Sequence, residues 1–163
     1  MSTRSQIGFY EKEPKTGKDL KKFEALLYRH SDGYPSGMLP EIIPFLKWWR
    51  TGRGLNDTEY VAARLLQWLC QEYDGAVTRI EKEIGRPAPY GNRDYTGTLG
   101  YGISRGFHGD IQWFYAVYPN AVKVYKVVFG DGMKVDPEIW IPVGTIDLTH
   151  EVDIDKVVAE IEK

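Results

Sequence analysis

Two histidines stand in the same local pattern, His30-Ser31-Asp32 and His108-Gly109-Asp110. In extended chain, residues i and i+2 point to the same side, so each pair could bring an imidazole and a carboxylate to one point. That pairing suits general acid–base work, with the carboxylate orienting the ring, or a divalent metal held by mixed nitrogen and oxygen ligands. Asp32-Gly33 and Gly109-Asp110 are also turn dipeptides, in which Asp commonly bonds its own backbone. Turn chemistry therefore competes with ligand binding and with catalysis at both places. His150 stands alone before the last expected helix and reads as a surface residue.

The first pair sits in "YRHSDGYPSG", residues 28–37. A turn needs only the Asp, Gly and Pro; Tyr28, Arg29, His30 and Tyr34 are extra. An arginine, a histidine and tyrosines suit a phosphate joined to a flat ring, through charge-assisted bonds to the anion and stacking on the base. The candidate ligand-binding residues are Arg4, Tyr28, His30, Asp32 and Tyr34. Tyr101, Arg105 and His108 could join them from "GTLGYGISRGFHG", residues 97–109, whose five glycines match neither the dinucleotide nor the P-loop spacing and suit a twisted hairpin better. Were the chain an enzyme, His30 would be the acid–base, Asp32 its orienting partner and Arg4 the phosphate holder. The bland alternative is that Arg4 or Arg29 pairs with Asp32 to fix the turn. No Ser or Cys has the context of a nucleophile, no metal-ligand set emerges and no cofactor is indicated.

The elements that must position these residues are legible. "SQIGFYE" alternates as a strand, and "FEALLYRH" reads as a second one pairing antiparallel with it across the lysine-rich loop. With Phe23, Ala25 and Leu27 facing the core, Tyr28 and His30 share the opposite face with Glu24 and Leu26. Arg29 then falls on the core face and needs a partner, while Arg4 comes close to the strand end if the pairing is in register. "GMLPEIIPFLKWWRTG" has helical spacing, with Pro44 expected to bend or shorten the start. "NDTEYVAARLLQWLCQEYDG" is the clearest helix, with an Asn56/Glu59 capping box, a buried stripe of Ala62, Leu65, Leu66, Leu69 and Tyr73, and a stop at Gly75. A short amphipathic piece with Ala76, Ile80 and Ile84 and a Pro/Gly loop over 85–97 follow. Four β-rich runs then come in succession, with turns at 118–121 and 130–133, and the chain closes on a helix capped by Asp153 that buries Val157, Val158 and Ile161. The expectation is one α+β domain over residues 1–163, an antiparallel sheet of about five to six strands with helices packed on one face.

A chain of 163 residues can bury a proper core. Its net charge of −2 disfavours a duplex-binding surface, because phosphates demand a basic excess. The strands "WFYAVY" and "KVYKVV" could stack bases, but core packing explains their inward halves. A single cysteine, Cys70, forbids an internal disulfide and reads as a small buried thiol. With no apolar leader and no run of about 18 apolar residues, a soluble, cytoplasmic protein is expected. Trp48 and Trp49 are adjacent on one helix and cannot both face one core, so exposed Trp48 and Trp49 are expected to form a protein interface.

"STRSQIGFYE" followed by "LLYRHSDGYPSGMLPEI" resembles a family of small, mostly uncharacterised proteins of phages, prophages and other mobile elements. Its members open with Thr-Arg-Ser, then an apolar strand, then an aromatic-x-His-x-Asp-Gly-Tyr-Pro block. The matching positions are Thr3, Arg4, Ser5, Tyr28, His30, Asp32, Gly33, Tyr34 and Pro35, so the resemblance covers about the first third of the chain. It implies a mobile-element origin and no particular activity. Two-histidine phosphoesterases are similar only superficially, because they carry Thr or Ser two positions after each His, where this chain has Asp. Three functions are expected in order: a noncatalytic phage-type binding protein, sequestering a nucleotide-like ligand or inhibiting a host defence factor; a small phosphoester hydrolase or nucleotide-processing enzyme using His30 and Asp32; and a protein-interaction module acting through Trp48 and Trp49.

Overall fold

β1 (Ser5–Phe9) and β2 (Ala25–Arg29) pair antiparallel with Ser5 opposite Arg29 and Gln6 opposite Tyr28, the register that brings Arg4 beside His30. The computed structural model describes residues 3–86 and 100–163. The Pro/Gly loop expected over 85–97 therefore lies outside the described residues beyond Arg86, as do the side chains of Tyr73, Ala76 and Ile80. β3 (Tyr101–Ile103) adds to the outer edge of β2, and β4 (Trp113–Tyr118), β5 (Ala121–Lys126) and β6 (Ile141–Asp147) form an antiparallel meander. The two halves join through β1 and β4, giving the order β3-β2-β1-β4-β5-β6. That junction is parallel, the one departure from the expected antiparallel sheet.

Alternation along the strands makes two cores. Ile7, Phe9, Leu27, Tyr115, Val117, Val122 and Val124 face a layer formed by α2 (Pro35–Gly52), α3 (Thr58–Ile84) and α4 (Ile154–Ile161). On the other face Leu26, Phe114, Ala116 and Tyr125 are covered by the short α1 (Gly17–Leu20), a 3-10 turn at Pro137–Ile139 and the segment after β3, through Leu20, Trp140, Phe107 and Ile111. α2, α3 and α4 thus share one face as expected, and only the one-turn α1 lies on the other. β4 is buried on both faces, which is why it reads as a nearly continuous apolar run. Phe23 lies just outside β2 and packs on the second core with Phe107, not on the helix side.

α2 presents Leu39, Ile42, Ile43 and Leu46 to the sheet and runs unbroken through Pro40 and Pro44. Each proline withholds an N–H from the carbonyl four residues earlier. Those carbonyls belong to Ser36 and Pro40, both exposed residues, where solvent is within reach and the lost bonds are tolerated. In α3 the expected capping box is absent: Asp57 is the N-cap and makes no side-chain cap bond. Gly75 does not stop the helix either, since a glycine in a long helix costs only about 1 kcal/mol; α3 continues to Gly85, which closes it at φ +69°. α4 starts as expected, with the Asp153 carboxylate accepting from the Lys156 N–H. Among the described residues no helix is long and apolar enough to cross a membrane.

Candidate functional site

Where β1 begins and β2 ends, on the sheet face away from the helices, Arg4 links the two His-x-Asp blocks. Its Nη1 meets Asp110 Oδ2 at 2.7 Å and its Nε donates to His30 Nδ1 at 3.3 Å. The Tyr28 hydroxyl lies 3.2 Å from the same His30 nitrogen, and the Tyr28 ring packs on His108 with centroids 4.5 Å apart and planes 33° apart. Arg4, Tyr28, His30, His108 and Asp110 therefore form one group although the blocks lie far apart in sequence. Neither block makes its own imidazole–carboxylate pair.

The reason is local backbone. Extended geometry ends at His30: Asp32 adopts φ +55°, and its carboxylate accepts from the Tyr34 hydroxyl at 3.1 Å. The chain around His108 and Asp110 is turn and coil, so the i, i+2 rule for strands does not apply there. Asp32 is thus not the orienting partner of His30. With Arg4 and Tyr28 both aimed at Nδ1, that nitrogen holds the lone pair and the ring proton sits on Nε2. In this arrangement the exposed imidazole offers its Nε2–H as a hydrogen-bond donor. Burial, and after it the Asp110 carboxylate, hold the Tyr28 phenol above its ordinary value, with Arg4 acting in the opposite sense. Tyr28 therefore stays a donor at neutral pH.

Gln6 sets the position of the second block and was not singled out from sequence. It is fully buried, its amide NH2 donating to the Gly106 carbonyl at 3.1 Å and its Oε1 accepting from the His108 N–H at 3.0 Å. One side chain thus pins both ends of the 106–108 loop and places the His108 ring on Tyr28. Ser104 Oγ lies 3.3 Å from His108 Nε2. The available signal was a glutamine inside an apolar strand, which must find partners if buried.

The Asp-Gly-Tyr-Pro turn is mostly scaffold. The Gly33 N–H donates to the Thr3 carbonyl at 2.9 Å, and the Gly33 carbonyl accepts from the buried Tyr115 hydroxyl at 2.7 Å. A Cβ on Gly33 would come within 2.6 Å of Ser5 Oγ, and one on Gly37 would strike the Asp32 carbonyl. Pro35 begins α2, whose Ser36 N–H is capped by Glu162 from beyond α4 at 2.8 Å. The Thr-Arg-Ser start and the Asp-Gly-Tyr-Pro block are therefore one packed unit, with His30, Asp32 and Tyr34 exposed on it and Arg4 partly so. Tyr34 is exposed and bonded to Asp32, which raises its phenol.

Two expected members lie elsewhere. Tyr101 pairs with Arg29 in the β2–β3 register and so points to the helix face; its hydroxyl donates to Glu41 Oε2 at 3.3 Å, and burial holds its phenol well above the usual range. Arg105 stands exposed in the bend after β3, outside the Arg4 network. The partner that Arg29 was expected to need is Glu41 of α2, at 2.7 Å. Among the described residues no group of three or more metal-ligating side chains gathers. Trp48 is 65% exposed, while Trp49 is half-buried between Phe45 and Tyr60. Comparison with protein-family models, with curated proteins and with solved structures returned no match.

Proposed function

We propose that the protein is a noncatalytic binding protein of the mobile-element kind, holding a small phosphate-bearing, nucleotide-like ligand at the Arg4, Tyr28, His30 and His108 group. The observation that carries this reading is the Arg4 bridge, which draws both His-x-Asp blocks to one exposed spot. Asp110 is a half-exposed counter-ion there, and such pairs contribute only about 0–1 kcal/mol. A phosphate can displace it and take the guanidinium fork, for which it is geometrically suited. The His30 Nε2–H adds a second donor, and the Tyr28–His108 stack offers flat surface for a base. Catalysis is the weaker reading, because His30 has no carboxylate partner and its Nδ1 faces a cationic donor. In the host cell such a protein would lower the free level of a signalling nucleotide and so blunt defence or regulation.

The test is to incubate purified protein with a panel of signalling nucleotides and phosphorylated metabolites, wash, denature by heat and identify what is released. Recovery of an intact compound, lost on Arg4→Ala, supports sequestration. Accumulation of a cleaved product that disappears on His30→Ala would replace this reading with the hydrolase. Release of nothing from the panel would sink it.

A further inference from the structure

The C-terminal end of α2 carries a second surface on the helix layer, across the sheet from Arg4. Trp48 projects from it at 65% exposure, an unusual position for so large a ring. Its edge contacts Phe45 and Trp49, which hold it upright on a floor continued by Trp68 and Tyr60. A hollow of about 350 Å³ lies on one side of Trp48, bounded by Trp49, Gly52 and Arg53, and another of about 280 Å³ on the other side, bounded by Phe45, Trp68 and Arg64. Among the described residues, neither hollow has a carboxylate in its lining.

The charge beside the hollows is basic as well. Between Glu41 and Asp57 the chain carries Lys47, Arg50 and Arg53 and no acidic residue, Lys47 being taken up by Glu151 at 3.6 Å. Arg53 and Arg64 flank the Tyr60 ring at 4.2 and 5.1 Å, so their guanidinium groups are held beside the two hollows. Arg53 also reaches Asp57 at 3.6 Å, an exposed pair that a better ligand can replace. We propose that this surface docks an acidic segment of a partner protein that places two bulky apolar side chains astride Trp48 and carboxylates on Arg53 and Arg64. Exposed Trp and Arg side by side are the residue types that dominate interface energetics. Nucleic acid is a poorer occupant, since the whole chain carries a net charge of −2. A two-fold dimer on the same patch would set arginines against arginines.

The experiment pans a library of random peptides, about a dozen residues long, on the immobilised full chain, then measures enriched peptides by fluorescence anisotropy. Enriched sequences should combine Asp or Glu with two large apolar residues. Trp48→Ala should weaken binding about 30-fold, the effect of an interface hot spot. Arg53→Glu should also weaken it, and a peptide with Lys in place of its acidic residues should recover affinity for Arg53→Glu alone. Circular dichroism matching the parent shows that each variant is folded; if Trp48→Ala is not, the Arg53→Glu charge swap decides by itself. Enriched peptides without acidic residues, or binding indifferent to both variants, would overturn the proposal. So would oligothymidylate binding that Trp48→Ala abolishes, or a dimer that it splits.

Discussion

Replacing Glu41 by Gln should cost the fold about 2–3 kcal/mol. Arg29 is 6% exposed, and every polar atom of its guanidinium is committed. Nη1 meets Glu41 Oε2 at 2.7 Å and Met38 Sδ at 3.0 Å, Nη2 meets Glu41 Oε1 at 3.4 Å, and Nε donates to the Ser31 carbonyl at 2.7 Å. Glutamine keeps the shape but removes the counter-charge, leaving a buried cation without compensation. Breaking a buried pair in this way costs about 3–5 kcal/mol. The Glu41 side chain is 34% exposed, so water relieves part of that, and the lower figure applies. In urea, with a slope of about 2 kcal/mol per molar for a chain of this size, the midpoint should fall by roughly 1–1.5 M. The double variant Arg29→Met/Glu41→Leu removes both charges and should recover most of the loss. Because Arg29 Nε holds the Ser31 carbonyl, the Glu41→Gln protein should also show faster amide exchange at Ser31 and Asp32. A midpoint shift below about 0.2 M, or a double variant less stable than the single one, would refute the account of Arg29 as a buried charge dependent on Glu41.

Asp110→Asn should leave stability within about 1 kcal/mol and tighten binding of a nucleoside monophosphate about two- to fivefold by calorimetry, because it frees Arg4 from an exposed pair. Gly37→Ala should destabilise through its collision with the Asp32 carbonyl, whereas Gly52→Ala, with open space around it in the last turn of α2, should stabilise by up to about 1 kcal/mol; thermal melts separate the two. Burial pushes the Tyr125 phenol up to about 12 from its ordinary 10, and Tyr10, whose hydroxyl donates to the Leu20 carbonyl, is shifted upward too. Because the unfolded chain ionises these groups first, their stabilisation is intact below pH 10 and is lost as the pH rises through the folded values. Unfolding by circular dichroism should therefore begin above pH 10 and coincide with tyrosinate absorbance, not follow it.

Alternation read from sequence placed Ile7, Leu27, Tyr28, His30 and Arg29 on their faces, and that parity also brought Arg4 to His30. It failed where the backbone stops being regular. Asp32 turns away because of one positive φ, and Tyr101 crosses to the helix side because its register with Arg29 depends on a pairing more than seventy residues distant in sequence. Gln6 escaped notice, and Asp110 was matched with His108 instead of Arg4, for the same reason: the true partners lie about a hundred residues away in sequence. The α3 boundaries were misread because Asn56 and Gly75 are good local punctuation, outweighed here by the burial of Ala62, Leu65 and Leu69. The parallel junction has no local signature at all.

That junction bears on how the chain reaches its native state. β4 and β5 are joined by a tight turn and β6 follows after the connection 127–140, whereas Ser5 must find Trp113 across more than a hundred residues. Closing so long a loop before any pairing rewards it makes this the slow step, and a chain of high contact order folds slowly. Until β1 arrives, β4 is an open edge bearing Phe114, Tyr115, Ala116 and Val117, all fully or almost fully buried at the end. During synthesis β1 emerges well before β4 and must wait for more than a hundred residues to follow. The interval is a window for wrong partners, and crowding at high expression should widen its consequences.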